Sequence, residues 1–130
     1  MRSRHTQARD LRPALAFLQD ELRLRDWSIT LRIVRGLVVN GAPVWGSCEP
    51  CWNTMTAEIC LRPEWDIHPS LGPKPMLWVL IHECLHIVLP EVRPANGEEA
   101  AINRLTDALF RWWEAEMLAR IGRKRKRPHS

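Results

Sequence analysis

The feature that most constrains this chain is a pair of histidines, His82 and His86, four residues apart inside an apolar run. The run extends from Trp78 to Leu89, and Glu83 is the other polar residue in it. Four residues make slightly more than one helical turn, so both imidazoles leave the same face of a predicted helix. Burying two histidines and a glutamate in such a helix is costly unless these side chains bind something.

The His-Glu-x-x-His spacing predicts a metal site. Two imidazoles on one helix face can hold a single catalytic Zn²⁺ at about 2.0–2.1 Å each. Glu83 is the predicted general base, which takes a proton from a metal-bound water so that the water attacks a carbonyl. The competing interpretation is a pair of core histidines whose hydrogen bonds are satisfied within the protein.

A catalytic zinc needs a third protein ligand, and the residues after the motif restrict the choice. The pattern with a glycine three positions and a histidine six positions after the second histidine is excluded, because Leu89 and Val92 stand there. The helix predicted over 97–120 opens with Glu98 and Glu99. If this helix lies antiparallel beside the motif helix, its first turn covers the face that carries the two histidines.

Glu99 is the preferred third ligand, and Glu98 is the alternative. Glu99 shares a polar stripe with Asn103 and Thr106, which are predicted to hydrogen-bond the metal ligands. Glu98 is in line with an apolar stripe that begins at Ile102. The glutamate that does not bind the metal is expected to be a carboxylate favoured by the helix dipole.

The remaining patterns predict one α+β domain. Apolar residues at intervals of three and four predict helices, and alternation of apolar and polar residues predicts strands. The expected elements are helices at 7–25, 75–89 and 97–120 and strands at 27–33, 44–48 and 55–61. Asn40-Gly41 is a hairpin-turn signal. The expected order is therefore α-β-β-β-α-α, a small antiparallel sheet packed against three helices.

Positive charge is concentrated at the C-terminal end. The formal net charge is +4, and five consecutive basic residues lie close to the end of the sequence: Arg123, Lys124, Arg125, Lys126 and Arg127. Gly122 is expected to end the last helix, which gives a domain at 1–122 and a basic, disordered tail at 123–130. Such a tail can make weak nucleic-acid contacts or simply be solvated.

The sequence predicts a cytoplasmic protein that has no membrane span and no signal peptide. Four cysteines are then expected to stay unpaired. Cys48 and Cys51 have metal-ligand spacing, and Cys60 with His68 could complete a second site. Small thiols in buried or turn positions are the favoured interpretation.

The motif and the glutamate after it resemble the compact gluzincin-like zincin metallopeptidases common in phages and mobile elements. They are more distantly similar to the ImmA/IrrE family, in which a glutamate opens a helix of the form E-x-x-A-x-x-F-A. Here Glu99, Ile102, Leu105 and Thr106 take the corresponding positions, with Ile for Ala, Leu for Phe and Thr for Ala. The resemblance covers about residues 55–110.

The resemblance implies a minimal zincin-like fold in which an edge strand before the motif helix borders the cleft. That strand would offer backbone groups of Ala57, Glu58 and Ile59 to an extended peptide by strand addition. The chain has no tyrosine, so His68, in the loop before the motif helix, is the candidate that would help to stabilise an oxyanion.

These patterns together favour a zinc-dependent metallopeptidase acting on a peptide or protein. A competing hypothesis is a DNA-associated SprT-like protease recruited by the basic tail. That class normally uses a third histidine, whereas only the distant His129 follows His86. Two further hypotheses are a non-catalytic metal-binding or interaction module on a zincin fold and a structural DNA-binding protein with incidental histidines.

Overall fold

The computed structural model of the protein describes residues 11–89 and 98–126. The helices are α1 (Arg12–Glu21), α2 (Met76–Val88) and α3 (Glu98–Lys126), and the strands are β1 (Ser28–Ile33), β2 (Val38–Val39), β3 (Ala42–Pro43), β4 (Gly46–Cys51) and β5 (Thr56–Leu61). The predicted α+β class, with a small sheet and three helices, is confirmed. The first residues of the predicted helix at 7–25 and residues 127–130 of the predicted tail lie outside the described residues.

The main sheet is mixed, with strand order β1-β5-β4. β4 and β5 pair antiparallel, but β1 and β5 pair parallel, with Ser28 opposite Thr56 and Ile33 opposite Leu61. The predicted small antiparallel sheet is therefore antiparallel at the β4–β5 pair, and the parallel β1–β5 pair makes it mixed. β5 is the shared central strand: it runs antiparallel to β4, with which it forms a hairpin, and parallel to β1.

The prediction that residues 55–61 form the edge strand, with Ala57, Glu58 and Ile59 exposed to a substrate, is also wrong. β5 is the central strand, and the edge strand next to the motif helix is β4. Burial explains this placement, because Ile59, Cys60 and Leu61 are buried on both faces of the sheet. β4 instead carries Pro50, which lacks the N–H that a central strand needs.

The predicted turn at Asn40-Gly41 is confirmed. Both residues have positive φ, 54° and 80°, as a two-residue type I′ turn requires. The turn joins β2 to β3 in a separate two-stranded hairpin. Arg62, which is buried, anchors this hairpin by donating to the carbonyl oxygens of Leu37 at 2.6 Å and Val44 at 3.0 Å.

The helix α2 packs against one face of the main sheet, and nearly all of its residues are buried. Its first amide, Met76 N–H, donates to the Glu64 carboxylate at 2.7 Å. Pro75, immediately before it, has extended backbone dihedrals, which fix the start of the helix. The predicted helix at 75–89 therefore has the expected position, and its burial leaves the polar motif residues inside the protein.

The helix α3 lies antiparallel to α2. Glu99, at its start, contacts both motif histidines, and Asp107, two turns later, accepts a hydrogen bond from Trp78 at 2.7 Å. The predicted helix end at Gly122 is wrong, because α3 continues to Lys126. One glycine inside a helix costs only about 1 kcal/mol, and the residues after it are good helix formers. The basic residues at 123–126 are therefore part of α3 and do not belong to a separate tail.

Among the described residues, no helix is long and apolar enough to cross a membrane.

The contact between β4 and α2 generates a stability prediction at Gly46. A Cβ there would lie 2.6 Å from Val79 Cγ1 and 3.2 Å from Glu83 Cγ. Because both neighbours are buried and cannot withdraw easily, Gly46→Ala should lower the free energy of unfolding by about 1–3 kcal/mol. Urea denaturation measures this change. Glu49→Ala, an exposed position on the same strand, is the control and should change stability by less than about 0.5 kcal/mol.

Candidate metal centre

The structure brings the three predicted metal ligands together. The ligand atoms of His82, His86 and Glu99 all lie within 4.8 Å of one another. His82 Nε2 is 3.3 Å from His86 Nε2 and 2.8 Å from Glu99 Oε1, and His86 Nε2 is 3.9 Å from Glu99 Oε2. Two elements supply the set: α2 contributes both imidazoles from one face, and α3 contributes the carboxylate from its first turn.

These distances fit a divalent cation. Ligands about 2.0–2.1 Å from a tetrahedral zinc lie about 3.4 Å apart, close to the 3.3 Å between the two Nε2 atoms. The 2.8 Å contact between His82 and Glu99 is shorter and would lengthen around an ion. The Glu99 side chain is 63% exposed, so it has the freedom to make this adjustment.

Two neighbours orient the His82 ring. The Trp78 indole stacks on it with ring centroids 5.2 Å apart. Thr106 Oγ1 lies 3.4 Å from His82 Nδ1 and donates to the carbonyl oxygen of Ile102 at 2.6 Å. Because that hydroxyl hydrogen is already used, Thr106 acts as the acceptor for His82 Nδ1–H, which leaves Nε2 unprotonated toward the cluster.

Thr106 and Asn103 were both predicted to hydrogen-bond the metal ligands, but only Thr106 contacts a histidine among the described residues. Thr106 is fully buried and contacts His82, as predicted. Asn103 is half-buried and makes no hydrogen bond to either histidine within the described part of the chain. Glu98 begins α3, but its side chain lies outside the described residues.

Burial lowers the pKa of His82, an effect that His86 reinforces and Glu99 opposes. The lowered pKa favours the neutral imidazole, which is the form that binds metals.

Glu83 is buried beside this cluster, with 6% of its surface exposed. Its carboxylate has no hydrogen-bond partner among residues 11–89 and 98–126. Burial, and to a lesser degree the negative charge of Glu99, raises the pKa of Glu83 to about 8. Its oxygens are not among the fully enclosed polar atoms that lack a partner in the described residues. The side chain faces the cavity, where a cation held by the neighbouring residues would favour the ionised form of Glu83.

The histidines and Glu83 line a cavity of about 220 Å³. Its other walls come from the β3–β4 segment, the loop before α2, the first turn of α2 and the start of α3; these residues are Pro43, Val44, Trp45, Gly46, Leu71, Trp78, Val79 and Glu99. The edge strand β4 therefore borders the cavity. Only glycine at position 46 lets this strand approach Glu83 so closely.

Among residues 11–89 and 98–126, no strand pairs with the outer edge of β4. The Trp45 carbonyl accepts from Arg62 N–H at 2.7 Å, so Trp45 directs its backbone groups toward β5. In an antiparallel ladder the next residue, Gly46, directs its N–H and C=O away, and Cys48 does the same. Two backbone N–H and two C=O groups therefore face outward beside the cavity.

His68 does not reach this cavity. Its Nδ1 accepts hydrogen bonds from the Ser70 backbone N–H at 3.1 Å and the Ser70 hydroxyl at 2.8 Å. It does not belong to the cavity lining. The prediction of His68 as an oxyanion helper is therefore not supported, because a local turn already uses its ring.

The cysteines do not form a second metal site among the described residues. Cys48 and Cys51 are three residues apart on the straight strand β4, so their side chains leave opposite faces of the sheet. Cys48 faces α2, where burial and the charge of Glu83 raise its pKa to about 12. Cys51 is exposed, and hydrogen bonds from Thr54 lower its pKa.

Three site residues were not predicted from the sequence, namely Trp45, Trp78 and Lys74. Lys74 Nζ lies 4.3 Å from the centroid of the Trp78 ring and 5.5 Å from that of Trp45. The position of Trp78, four residues before His82, is a helical-spacing signal that could have identified it. No sequence signal connects Trp45 or Lys74 to the motif.

Comparison of the chain with family models, curated proteins and solved structures finds no match.

The contact of Thr106 with His82 predicts an effect on metal affinity. Thr106→Val keeps the shape of the side chain but removes the acceptor for His82 Nδ1–H. Loss of such a partner should weaken metal binding about tenfold, measured by competitive Zn²⁺ titration against a chromophoric chelator. Thr106→Ser keeps the hydroxyl and should retain most of the affinity. Equal affinity of the valine and wild-type proteins would contradict this role for Thr106.

The thiol environments predict an order of alkylation. Thiolate is the reactive form, so iodoacetamide should modify Cys51 first and Cys48, Cys60 and Cys84 much more slowly. Burial raises the pKa of each of these three. Peptide mapping by mass spectrometry at successive times measures the order. Urea-unfolded protein is the control, in which all four thiols should react at similar rates; early labelling of Cys48 in folded protein would contradict the assignment.

Proposed function

We propose that this protein is a Zn²⁺-dependent metallopeptidase, with His82, His86 and Glu99 as ligands and Glu83 as general base. The observation that carries the proposal is the convergence of these four side chains on one cavity beside a strand edge. Two imidazoles and one carboxylate, with a coordination position left for water, are a typical donor set of catalytic zinc.

The residues of the chain have distinct tasks in this proposal. A bound zinc would polarise the scissile carbonyl and acidify the attacking water. Glu83 accepts the proton of that water and then delivers it to the leaving amine. Its burial suits this exchange, because a carboxyl with a pKa raised to about 8 is less acidic than usual and becomes a better base when a cation keeps it ionised.

The position of Glu83 favours hydrolysis over oxygen chemistry. Two histidines and a carboxylate also hold iron(II) in many oxygenases. A second carboxylate buried in the same cavity, and not counted among the ligands, supplies the base that peptide hydrolysis needs. Oxygen activation has no comparable need for it.

The edge of β4 suggests how a peptide is held. An extended peptide could pair with the outward backbone groups of Gly46 and Cys48 as an added strand. This pairing would bring the scissile bond past Glu83, which contacts Gly46 from the helix side. Main-chain pairing is independent of side chains, so it supports the peptide as the substrate class without selecting a sequence.

The competing functions predicted from the sequence have less support. A nucleic-acid role rests on the basic residues at 123–127, whose side chains lie outside the described residues. That role and a cytoplasmic location both stay predictions. A non-catalytic metal-binding module would need only the three ligands and would leave the buried Glu83 without a task.

Metal analysis and mutation test the proposal. We expect about one zinc per chain, and replacement of either histidine by alanine should abolish it. Glu83→Gln should keep the zinc but lower peptide cleavage by a factor of about 10²–10⁴, because it removes the proton acceptor. Elemental analysis and cleavage of a mixed peptide library measure the two effects.

The adjacent glutamates provide a matched control. Glu99→Ala should lose the zinc, whereas Glu98→Ala should retain it. The proposal fails if the purified protein binds no stoichiometric metal. Stoichiometric iron in place of zinc, or unchanged cleavage in Glu83→Gln, would also reject it.

A further inference from the structure

A lysine is held over two tryptophans that line the cavity. Lys74 itself lines a small adjoining pocket that shares Trp45 and Val79 with the cavity. Lys74 is half-buried, and its ammonium lies 4.3 Å from the Trp78 ring centroid and 5.5 Å from that of Trp45. Both rings are fixed, since Trp78 Nε1 donates to Asp107 and Trp45 Nε1 donates to the Gly72 carbonyl. Cation–π attraction therefore offsets the loss of side-chain freedom in a long lysine.

This ammonium has no carboxylate partner within the described ranges 11–89 and 98–126. Two carboxylates, Glu64 and Asp107, are hydrogen-bonded to residues that lie close to Lys74 in sequence. Glu64 accepts from Met76 N–H and Asp107 accepts from Trp78 Nε1, each at 2.7 Å. Neither lies within ion-pair distance of Lys74. The cation is thus held in place without being neutralised.

Lys74 is adjacent to the metal ligands through these rings. Trp45 and Trp78 both line the cavity, and the Trp78 ring that carries the ammonium also stacks on His82. With a divalent cation bound, the charges of Glu83 and Glu99 balance the metal. Lys74 then adds one positive charge that no ion pair among the described residues neutralises, and this favours an anionic group on the molecule that enters.

We propose that Lys74 is a specificity residue that binds a carboxylate of the peptide substrate. This inference rests on the peptidase function proposed above. The carboxylate belongs either to an aspartate or glutamate side chain near the scissile bond or to the C-terminus of the peptide. Both sources present the same group to the ammonium. Because Lys74 is half-buried, an ion pair formed there is stronger than one in open water.

Matched peptides distinguish the two sources. The zinc-loaded full chain is given peptides that differ only in Glu against Gln, or only in a free against an amidated C-terminus. The kcat/KM for the acidic member of one pair should exceed that for its neutral counterpart. Lys74→Met should lower this ratio about tenfold, as expected for loss of a charged hydrogen bond, mainly through KM. Lys74→Arg should retain most of it.

Control variants isolate the charge. Arg111→Gln removes one exposed positive charge from α3, far along the helix from Glu99, and should leave the ratio unchanged. Lys74→Gln removes the charge with a polar side chain and replaces Lys74→Met if the latter does not fold. Equal zinc content in every variant shows that the metal centre is intact.

A binding experiment separates this inference from the proposed function. Calorimetric titration of each peptide into the zinc-loaded Glu83→Gln protein needs no turnover and should show the same tenfold dependence on Lys74. Absence of any cleavage by the wild-type protein would reject the peptidase function and leave this titration as the test of Lys74. Equal binding of acidic and neutral peptides would overturn the inference, as would a kcat reduced equally for all peptides by Lys74→Met.

Discussion

The burial of α2 between the sheet and α3 is the constraint on which the site depends. Almost every side chain of this helix is removed from water, including His82 and Glu83, so its polar groups must find partners inside the protein. His82 has four, in the Trp78 ring, His86, Thr106 and Glu99. Glu83 has none among the described residues. The fold therefore satisfies the ring nitrogens of His82 and leaves the Glu83 carboxylate facing the cavity.

The repulsion between the carboxylates of Glu83 and Glu99 also bears on what the cavity can hold. Glu83 and Glu99 are close enough for the charge of Glu99 to contribute to the raised pKa of Glu83. Two carboxylates that repel each other across a small cavity destabilise the folded state. A divalent cation held between Glu99 and the histidines would reverse this effect, and metal binding would then be coupled to folding. A core that merely tolerated two histidines would have no reason to place both carboxylates beside them.

The motif helix and the position of Glu99 beside the two histidines could be predicted because both follow from short-range spacing. The four-residue interval fixes the face of His82 and His86, and the polar stripe through Thr106 identifies Glu99. Strand order depends on long-range pairing, which alternation in sequence does not encode. A usable signal did exist, because Gly46 and Pro50 are typical of an edge strand, whereas the consecutive apolar residues Ile59, Cys60 and Leu61 are typical of a central one.

The tryptophan-rich composition gains a physical explanation in the structure. Trp45 and Trp78 form an edge-to-face pair, with ring centroids 6.0 Å apart and an interplanar angle of 74°, which makes one wall of the cavity rigid. A space of about 220 Å³ is smaller than most ligand pockets, so it can accept one side chain but not a folded surface. If the proposed peptidase function holds, a protein substrate would have to present an extended segment. The outer edge of β4, which pairs with no strand among the described residues, is the part of this site that could align one.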